Sequence, residues 1–257
     1  MADWAKIKFY WKSFSGSQGS ALEASSTFER TSVANICNML ETNLWQAALG
    51  MGPHYITHDS GEGNSHEADY LAVSGHNFAS INALVKLQYS NDGESYLDAF
   101  TPFIPASDRA FVKEFTSPGA YRYWRLALEG TVIAPFIYIA AWGLRTELDY
   151  ASASFDPNEQ EVKAVVNLSN GGYLAGAHAK YIERSMTIRF DDADAALYGK
   201  VKEWWEGSGT RNFFVAWENS GHPEDVFLMR PEPRFSNPLK SGGAARDIVI
   251  ALTGRKE

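Results

Sequence analysis

A histidine and an asparagine stand side by side in the segment ADYLAVSGHNF, at positions 76 and 77. Such a pair at the end of a strand can serve catalysis or ligand binding, or it can hydrogen-bond the backbone of a corner. Gly75 precedes the pair and lets the chain bend there. We expect His76 and Asn77 to hold the corner together, with ligand binding as the alternative.

A second concentration of polar residues occupies HYITHDSGEGNSHEADY, residues 54–70. His54 and His58 are four residues apart, so on a helix they would share a face, as zinc ligands do. Pro53 and the β-branched Ile56 instead predict a strand that enters a loop, in which the two histidines still share a face. The segment also lacks a glutamate directly after the first histidine. We expect a solvated loop and no bound metal.

Other catalytic patterns are missing from the sequence. It contains no G-x-S-x-G motif, no phosphate-binding glycine loop and no dinucleotide fingerprint. Ser74 stands two residues before His76, a spacing that does not pair a nucleophile with a base along a strand. Aspartates and glutamates are plentiful, but their spacing does not identify the two carboxylates of a glycosidase. The sequence therefore favours a binding or structural protein without catalytic residues or a cofactor.

The composition points the same way. Aromatic residues make up 14% of the chain, which suits β-sandwich cores, subunit interfaces and sugar-stacking surfaces. The net charge of −8 argues against nucleic acid as a partner, because phosphate neutralisation needs a basic face. Trp45 follows a polar turn, where its ring could cap the end of a β-sandwich or form the floor of a sugar-binding site.

The single cysteine and the N-terminal segment indicate the kind of compartment in which the protein is made. Cys37 is alone, so no intramolecular disulfide can form, and its apolar neighbours Ile36 and Met39 predict a buried small hydrophobe. The first residues carry regular charges and do not read as a secretory signal. No apolar run approaches the roughly 18 residues that span a membrane. We expect a protein made in a reducing compartment and not inserted in a membrane.

Strands are predicted for the first half of the chain. The segments ALVKLQYS (83–90) and YRYWRLALEG (121–130) alternate between two faces, with Trp124 on the apolar one. Asp92 and Gly93 form a turn signal directly after the first of these strands. Short alternating strands with regular turns predict a β-sandwich or jelly roll.

A domain boundary is predicted near the apolar stretch GTVIAPFIYIAAWGL, residues 130–144, which Pro135 interrupts. The predicted domains are 1–133, a jelly-roll sandwich, and 134–257, a β-rich module. On this division we expect residues 1–130 to fold alone.

One helix is predicted in the second domain, near 193–206, because apolar residues there recur at helical spacing. The apolar stripe consists of Ala193, Leu197, Val201 and Trp204. Asp191 or Asp192 would cap its start and Gly207 its end. Trp204 is expected in the core, and Trp205 beside it at an assembly contact.

Several segments of the first half resemble a known family. The order SSTFERTSVANICNMLETNLWQAA, ADYLAVSGHNF, LVKLQYSNDGESY and YRYWRLALEG is similar to discoidin-type, galactose-binding-like jelly rolls. The DYLAVSGHNF corner resembles versions of this domain in tail proteins of long-tailed bacteriophages.

The second half resembles the β-rich module of phage distal-tail and baseplate proteins. In that module a helix precedes a PFFvaWd-like strand, here RNFFVAWE with Asn212 in the place of proline, and the chain closes on a strand similar to RDIVIALTG.

These resemblances imply a virion structural protein, assembled in the host cytoplasm and incorporated in the phage tail. It would act as a homo-oligomeric adaptor that contacts other tail and baseplate proteins. The alternative is a glycan-binding module for host surface polysaccharide, and the third hypothesis is a polysaccharide-cleaving enzyme. The candidate glycan-binding residues are Trp45, His58, Asp59, His76, Asn77 and Tyr96.

Overall fold

The computed structural model describes residues 5–17, 19–48, 51–218 and 221–256; the outer limits of the predicted domains, 1 and 257, lie outside them. The strands are β1 (Lys8–Ser13), β2 (Ala21–Ala24), β3 (Trp45–Gln46), β4 (His54–Asp59), β5 (Tyr70–His76), β6 (Leu84–Ser90), β7 (Leu97–Asp98), β8 (Phe111–Glu114), β9 (Tyr123–Glu129), β10 (Phe136–Glu147), β11 (Gln160–Leu168), β12 (Leu174–Ala193), β13 (Phe213–Ala216), β14 (Val226–Pro231), β15 (Leu239–Lys240) and β16 (Ala245–Arg255). The α-helix is α1 (Ala195–Ser208).

Two sheets contain these strands. The larger has the order β11-β12-β16-β14-β13-β1-β10-β5-β8, with β3 beside β10 and β15 beside β16. The smaller has the order β2-β4-β9-β6-β7. The protein is therefore mainly β, with one α-helix in the described part of the chain, as the sequence predicted.

The first hydrophobic core lies between the smaller sheet and the β10-β5 part of the larger one. Trp45, Trp124 and Trp142 are fully buried in it. Strand β4 shows the alternation expected for a sandwich, because His54, Ile56 and His58 are buried and the residues between them are half-exposed. The predicted strand face of the two histidines is thus confirmed.

The predicted turn after β6 is also present. Gly93 has φ +75°, a conformation that glycine adopts without strain. The Asp92 carboxylate accepts hydrogen bonds from the Glu94 and Ser95 amides, at 2.9 and 2.8 Å. These bonds fix the connection between β6 and β7.

The predicted domain boundary falls directly beside a strand of the first sandwich. The predicted division between 133 and 134 falls just before β10, yet β10 is paired with β5 in the first sandwich. Ile137 and Trp142 of β10 are fully buried in the first core. Since the sandwich is incomplete without β10, we place the expected boundary near residue 148.

The helix begins and ends two residues later than predicted. Asp194 is its N-cap, and its carboxylate accepts a 2.7 Å hydrogen bond from the Leu197 amide. Strand β12 continues through Ala193, so Asp191 and Asp192 lie before the cap. The C-cap is Gly209, with φ +57°, and Gly207 lies inside the last turn.

The second hydrophobic core lies between α1 and the strands around β13 and β16. Trp204 is 1% exposed, as predicted, and its ring centre lies 5.2 Å from that of Phe213. Trp205 is half-buried and stacks on Phe235 at 5.2 Å. Strand β1 also contributes to this core and pairs with both β10 and β13, so it joins the two halves of the larger sheet.

A two-stranded arm, residues 160–182, extends from the larger sheet. In this segment β11 and the first part of β12 pair with each other, and β16 joins only from Glu183 onward. Large apolar side chains of the arm are exposed: Val162, Val165, Val166, Leu168, Tyr173, Leu174, Tyr181 and Ile182. The described part of the chain has no helix that is long and apolar enough to cross a membrane.

Candidate functional site

The corner after β5 is held by the histidine singled out in the sequence. His76 is 3% exposed, and its Nε2 lies 2.9 Å from the Arg109 carbonyl oxygen. Its Nδ1 accepts a 3.1 Å hydrogen bond from the Phe78 amide, which leaves Nε2 to donate. Burial lowers the pKa of His76 to about 4, so the ring is neutral at physiological pH.

Asn77 supports the same corner. Its Nδ2 donates to the Ala134 carbonyl oxygen at 3.2 Å, and its Oδ1 accepts from the Phe136 amide at 3.0 Å. The side chain thereby ties the corner to the segment that leads into β10. Gly75 has φ +63°, and a Cβ there would lie 2.9 Å from the Tyr138 ring. The expected structural use of His76 and Asn77 is present.

Two further candidate residues lie inside the core. Trp45 is fully buried, and its Nε1 donates to the Ser26 carbonyl oxygen at 3.2 Å. His58 is also fully buried, and its ring centre lies 5.1 Å from that of Phe14. Burial and the neighbouring His66 lower the pKa of His58 to about 4. A solvent-borne ligand does not reach either side chain in this structure.

Asp59 lies at the surface in an ion pair. The Arg122 guanidinium donates to both of its carboxylate oxygens, at 2.7 and 2.9 Å. The hydrogen bonds from Arg122 are the main cause that lowers the pKa of Asp59. The Arg122 guanidinium also lies 4.8 Å from the centre of the Tyr123 ring. This group stands at the end of β4 and the start of β9.

Strand register places a set of side chains on the outer face of the smaller sheet, opposite the first core. Thr57 on β4 and Gln88 on β6 flank Arg125 on β9. One row further, Asp59 and Ser90 flank Tyr123. We call this surface the outer face; it comprises Tyr55, Thr57, Asp59, Gln88, Tyr96, Asp98, Tyr123 and Arg125.

Arg125 is the centre of the outer face. Its guanidinium lies 3.6 Å from the centre of the Tyr96 ring and 4.4 Å from that of Tyr55. Its Nε and Nη2 donate to Gln88 Oε1 at 2.9 and 2.7 Å, and Gln88 in turn donates to Asp98 at 2.7 Å. The Nη1 group makes no hydrogen bond with a described residue, so it can donate to a ligand.

The chemistry of this face suits a polyhydroxylated ligand. Half-exposed tyrosine rings offer apolar surfaces of the kind on which sugar rings stack. A fixed guanidinium donates to hydroxyl oxygens, and the neighbouring carboxylates accept from hydroxyl groups. Among the described residues no cluster of three or more His, Cys, Asp or Glu side chains could hold a metal ion.

Of the six candidate residues, the structure places two near this face. Tyr96 belongs to its centre and Asp59 to its margin, whereas the other four lie in the core or the corner. Sequence reasoning did not select Tyr55 or Arg125. The alternation in YRYWRLALEG does put Tyr123 and Arg125 on one strand face, but their approach to Tyr55 and Tyr96 depends on strand pairing.

Comparison with known proteins finds no matching family model and no matching curated protein. Several solved structures that resemble part of the chain are carbohydrate-binding modules. The CBM32 module CpGH89CBM32-5 of Clostridium perfringens, solved with GalNAc-β-1,3-galactose, is 15% identical, covers 49% of this chain and 95% of its own, and has a TM-score of 0.41. A chitosan-binding module of Paenibacillus sp. IK-5 is 18% identical, with coverages of 48% and 92% and a TM-score of 0.40.

A pectin-binding module is 19% identical and covers 48% of this chain and 89% of its own, with a TM-score of 0.38. The ligands of these three modules are properties of those proteins. The fold described above defines the class of this protein as a mainly β sandwich protein with one packed α-helix among the residues that the structure describes. The function proposed below rests on the residues of this chain.

Proposed function

We propose that this protein binds glycans through the outer face of its smaller sheet and does not cleave them. The observation that carries the proposal is the contact of the Arg125 guanidinium with the rings of both Tyr96 and Tyr55. The two rings and Gln88 hold the guanidinium before a ligand arrives. A preordered donor loses little side-chain freedom on binding, which favours affinity.

The partially exposed rings supply the second element of recognition. Tyr123 stands at a strand end, and its ring lies against the turn that carries Gly93 and leads to Tyr96. A Cβ at Gly93 would lie 3.2 Å from the Tyr123 ring, so a side chain there would press on it. Tyr123 and Asp59 form the row of the sheet next to that of Arg125, so these groups lie on the same face for a sugar chain.

A glycan array followed by calorimetry tests this proposal. We expect Tyr96→Ala and Arg125→Ala each to weaken the best glycan at least tenfold while the melting temperature stays close to that of the unchanged protein. Tyr173→Ala is the matched control, because Tyr173 is a tyrosine that is 79% exposed on the arm. An array without binding, or variants that bind like the unchanged protein, would overturn the proposal. Release of sugar fragments from the bound glycan would contradict the absence of cleavage.

A second proposed function, compatible with the first, is that of a homo-oligomeric structural subunit. The arm supports it, because its exposed apolar residues and the unpaired edge of β11 form a surface that an isolated monomer rarely leaves open. The resemblance in sequence suggests the setting, a phage tail tip or baseplate with other tail proteins as partners. In that setting the outer face would contact host surface glycans.

Light scattering tests the structural proposal. We expect a closed oligomer, and we expect Val166→Glu with Leu168→Glu on the arm to shift it to monomer. Lys200→Glu is a control that adds an acidic group on the exposed side of α1. If the protein is strictly monomeric and also fails to join tail particles, the structural proposal is wrong. That result would not affect the proposal of glycan binding.

A further inference from the structure

A concave site lies away from the outer face, where the larger sheet brings the first sandwich close to the end of β16. This cleft has a volume of about 480 Å³, within the range of small-molecule sites. Its lining comes from five separate parts of the chain, among them Tyr138 on β10, Arg109 in the connection before β8, and Arg255 at the end of β16. We call it the junction cleft.

Two guanidinium groups in the junction cleft are available to bind an anion. Arg109 and Arg255 are both exposed, and neither forms an ion pair with a described carboxylate. Both also line a smaller adjoining hollow, together with Arg184, Lys256 and the acidic Glu224. In the cleft and the hollow together, four cationic groups outnumber three carboxylates, a local excess that favours an anion in a protein of net charge −8. The planar fork of arginine matches a carboxylate in particular.

The cleft also contains groups that suit hydroxyls. Tyr138 carries a phenol, and the carboxylates of Glu41 and Asp108 line the same space. Asp108 is held in place, because it accepts hydrogen bonds from the Ala79 and Ser80 amides at 2.8 and 3.1 Å. A ligand that carried only negative groups would be repelled by these acids. A ligand with both a carboxylate and hydroxyl groups can bind the arginines through its carboxylate and contact Tyr138 and Asp108 through its hydroxyl groups.

The backbone around the cleft is fixed by the corner described above. The Nε2 of His76 donates to the Arg109 carbonyl oxygen, so the buried histidine positions the segment that carries this arginine. Gly75 lines the cleft without a Cβ, and its neighbour Tyr138 occupies the space that a Cβ would need. The corner residues therefore shape the cleft without touching its ligand.

We propose that the junction cleft binds a hydroxylated carboxylate of sugar size, such as a uronic acid unit, through Arg109 and Arg255. This site is distinct from the outer face and does not depend on it. A ligand here would contact both the first sandwich and the last strand of the chain, so it would also stabilise their arrangement.

Calorimetry with trigalacturonate tests the proposal at low and moderate salt. We expect Arg109→Ala and Arg255→Ala each to weaken binding about tenfold, and added salt to weaken the unchanged protein. Arg234→Ala removes the same charge from an exposed position outside the cleft, and it should bind normally. Arg255→Lys should recover only part of the affinity, since an ammonium group cannot bind the carboxylate in a fork.

Three outcomes would overturn the cleft proposal. They are no binding of trigalacturonate at millimolar concentration, unchanged affinity in both arginine variants, and loss of affinity in Arg125→Ala instead. The last result would assign the acidic sugar to the outer face, so the proposed function would stand while the cleft proposal failed. The converse result is binding of trigalacturonate in the cleft and of no glycan on the outer face. That result would support the cleft proposal and contradict the proposed glycan binding by the outer face.

Discussion

The ring of Phe9, near the start of the chain, packs 4.9 Å from the ring of Trp204 on the helix. Phe9 lies on β1, whose other partner strand, β10, belongs to the first sandwich. The first strand of the protein therefore completes the core of the second half. This contact links parts of the chain that are almost two hundred residues apart, and it makes the stability of α1 depend on the N-terminal strand.

Loss of the Trp204 ring should be costly. We expect Trp204→Ala to lower the free energy of unfolding by about 3–5 kcal/mol, because the ring is fully buried between Phe9 and Phe213. Trp205→Ala is the matched control and should cost clearly less, since Trp205 is half-buried against Phe235. Urea unfolding measures both. Equal losses in the two variants would show that the helix faces are wrongly assigned.

Two glycines of α1 should respond in opposite directions to alanine. At Gly199 no atom lies within 4 Å of an added Cβ, so Gly199→Ala should stabilise the protein by roughly 0.5–1 kcal/mol through helix propensity. At Gly207 the Cβ would lie 2.2 Å from the Trp11 ring. That ring is held by a 3.0 Å hydrogen bond from Nε1 to Thr146.

We therefore expect Gly207→Ala to destabilise the protein by about 1–2 kcal/mol, despite the better helix propensity of alanine. Thermal unfolding of both variants in one buffer provides the comparison. If Gly207→Ala is as stabilising as Gly199→Ala, the close approach of Trp11 to the helix does not exist in solution.

Acid should weaken the fold through two buried histidines. The pKa values of His58 and His76 are lowered to about 4, mainly by burial, whereas an unfolded histidine titrates near 6.5. The unfolded state thus binds more protons than the folded state between these values. The contribution of the two neutral histidines to the free energy of unfolding is fully present above about pH 6.5. It is lost as the pH drops toward 4, by on the order of 2–3 kcal/mol for each residue.

Denaturant unfolding between pH 4 and 8 tests this expectation. His58→Phe should reduce the slope of stability against pH, because phenylalanine fills the apolar space without titrating. His222→Phe is the control, since the His222 side chain is 44% exposed, and it should leave the slope unchanged. A slope that survives in His58→Phe and in His76→Gln would assign the acid sensitivity to other groups.

Truncation should locate the end of the first folding unit. A fragment of residues 1–148 contains the whole first core, whereas one of residues 1–130 lacks β10 with Ile137 and Trp142. We expect cooperative unfolding for the longer fragment and none for the shorter one. Circular dichroism during heating measures the unfolding of both fragments. Cooperative unfolding of the shorter fragment at the same temperature would restore the boundary first predicted from the sequence.

Local patterns determined much of this protein in advance. Alternating apolar residues and the Asp92-Gly93 turn predicted the sandwich strands, and helical spacing predicted α1 to within two residues, because both depend on neighbours along the chain. The backbone bonding of the corner at His76 and Asn77 was likewise expected from residue type. The predicted boundary rests on Pro135, which stands directly before β10, a position that a proline can occupy without ending a folding unit.

The tertiary structure decided the positions of the sites. Tyr55, Tyr96 and Arg125 lie on different strands and a turn, and only the pairing of β4, β9 and β6 brings them together. The local sequence marked Trp45, after a polar turn, and His58, in a polar segment, as ligand candidates, but strand pairing buries both side chains in the core. A shift of one residue in register exchanges the two faces of a strand, so the sequence identifies the side chains of a sheet while the pairing decides which of them reach solvent.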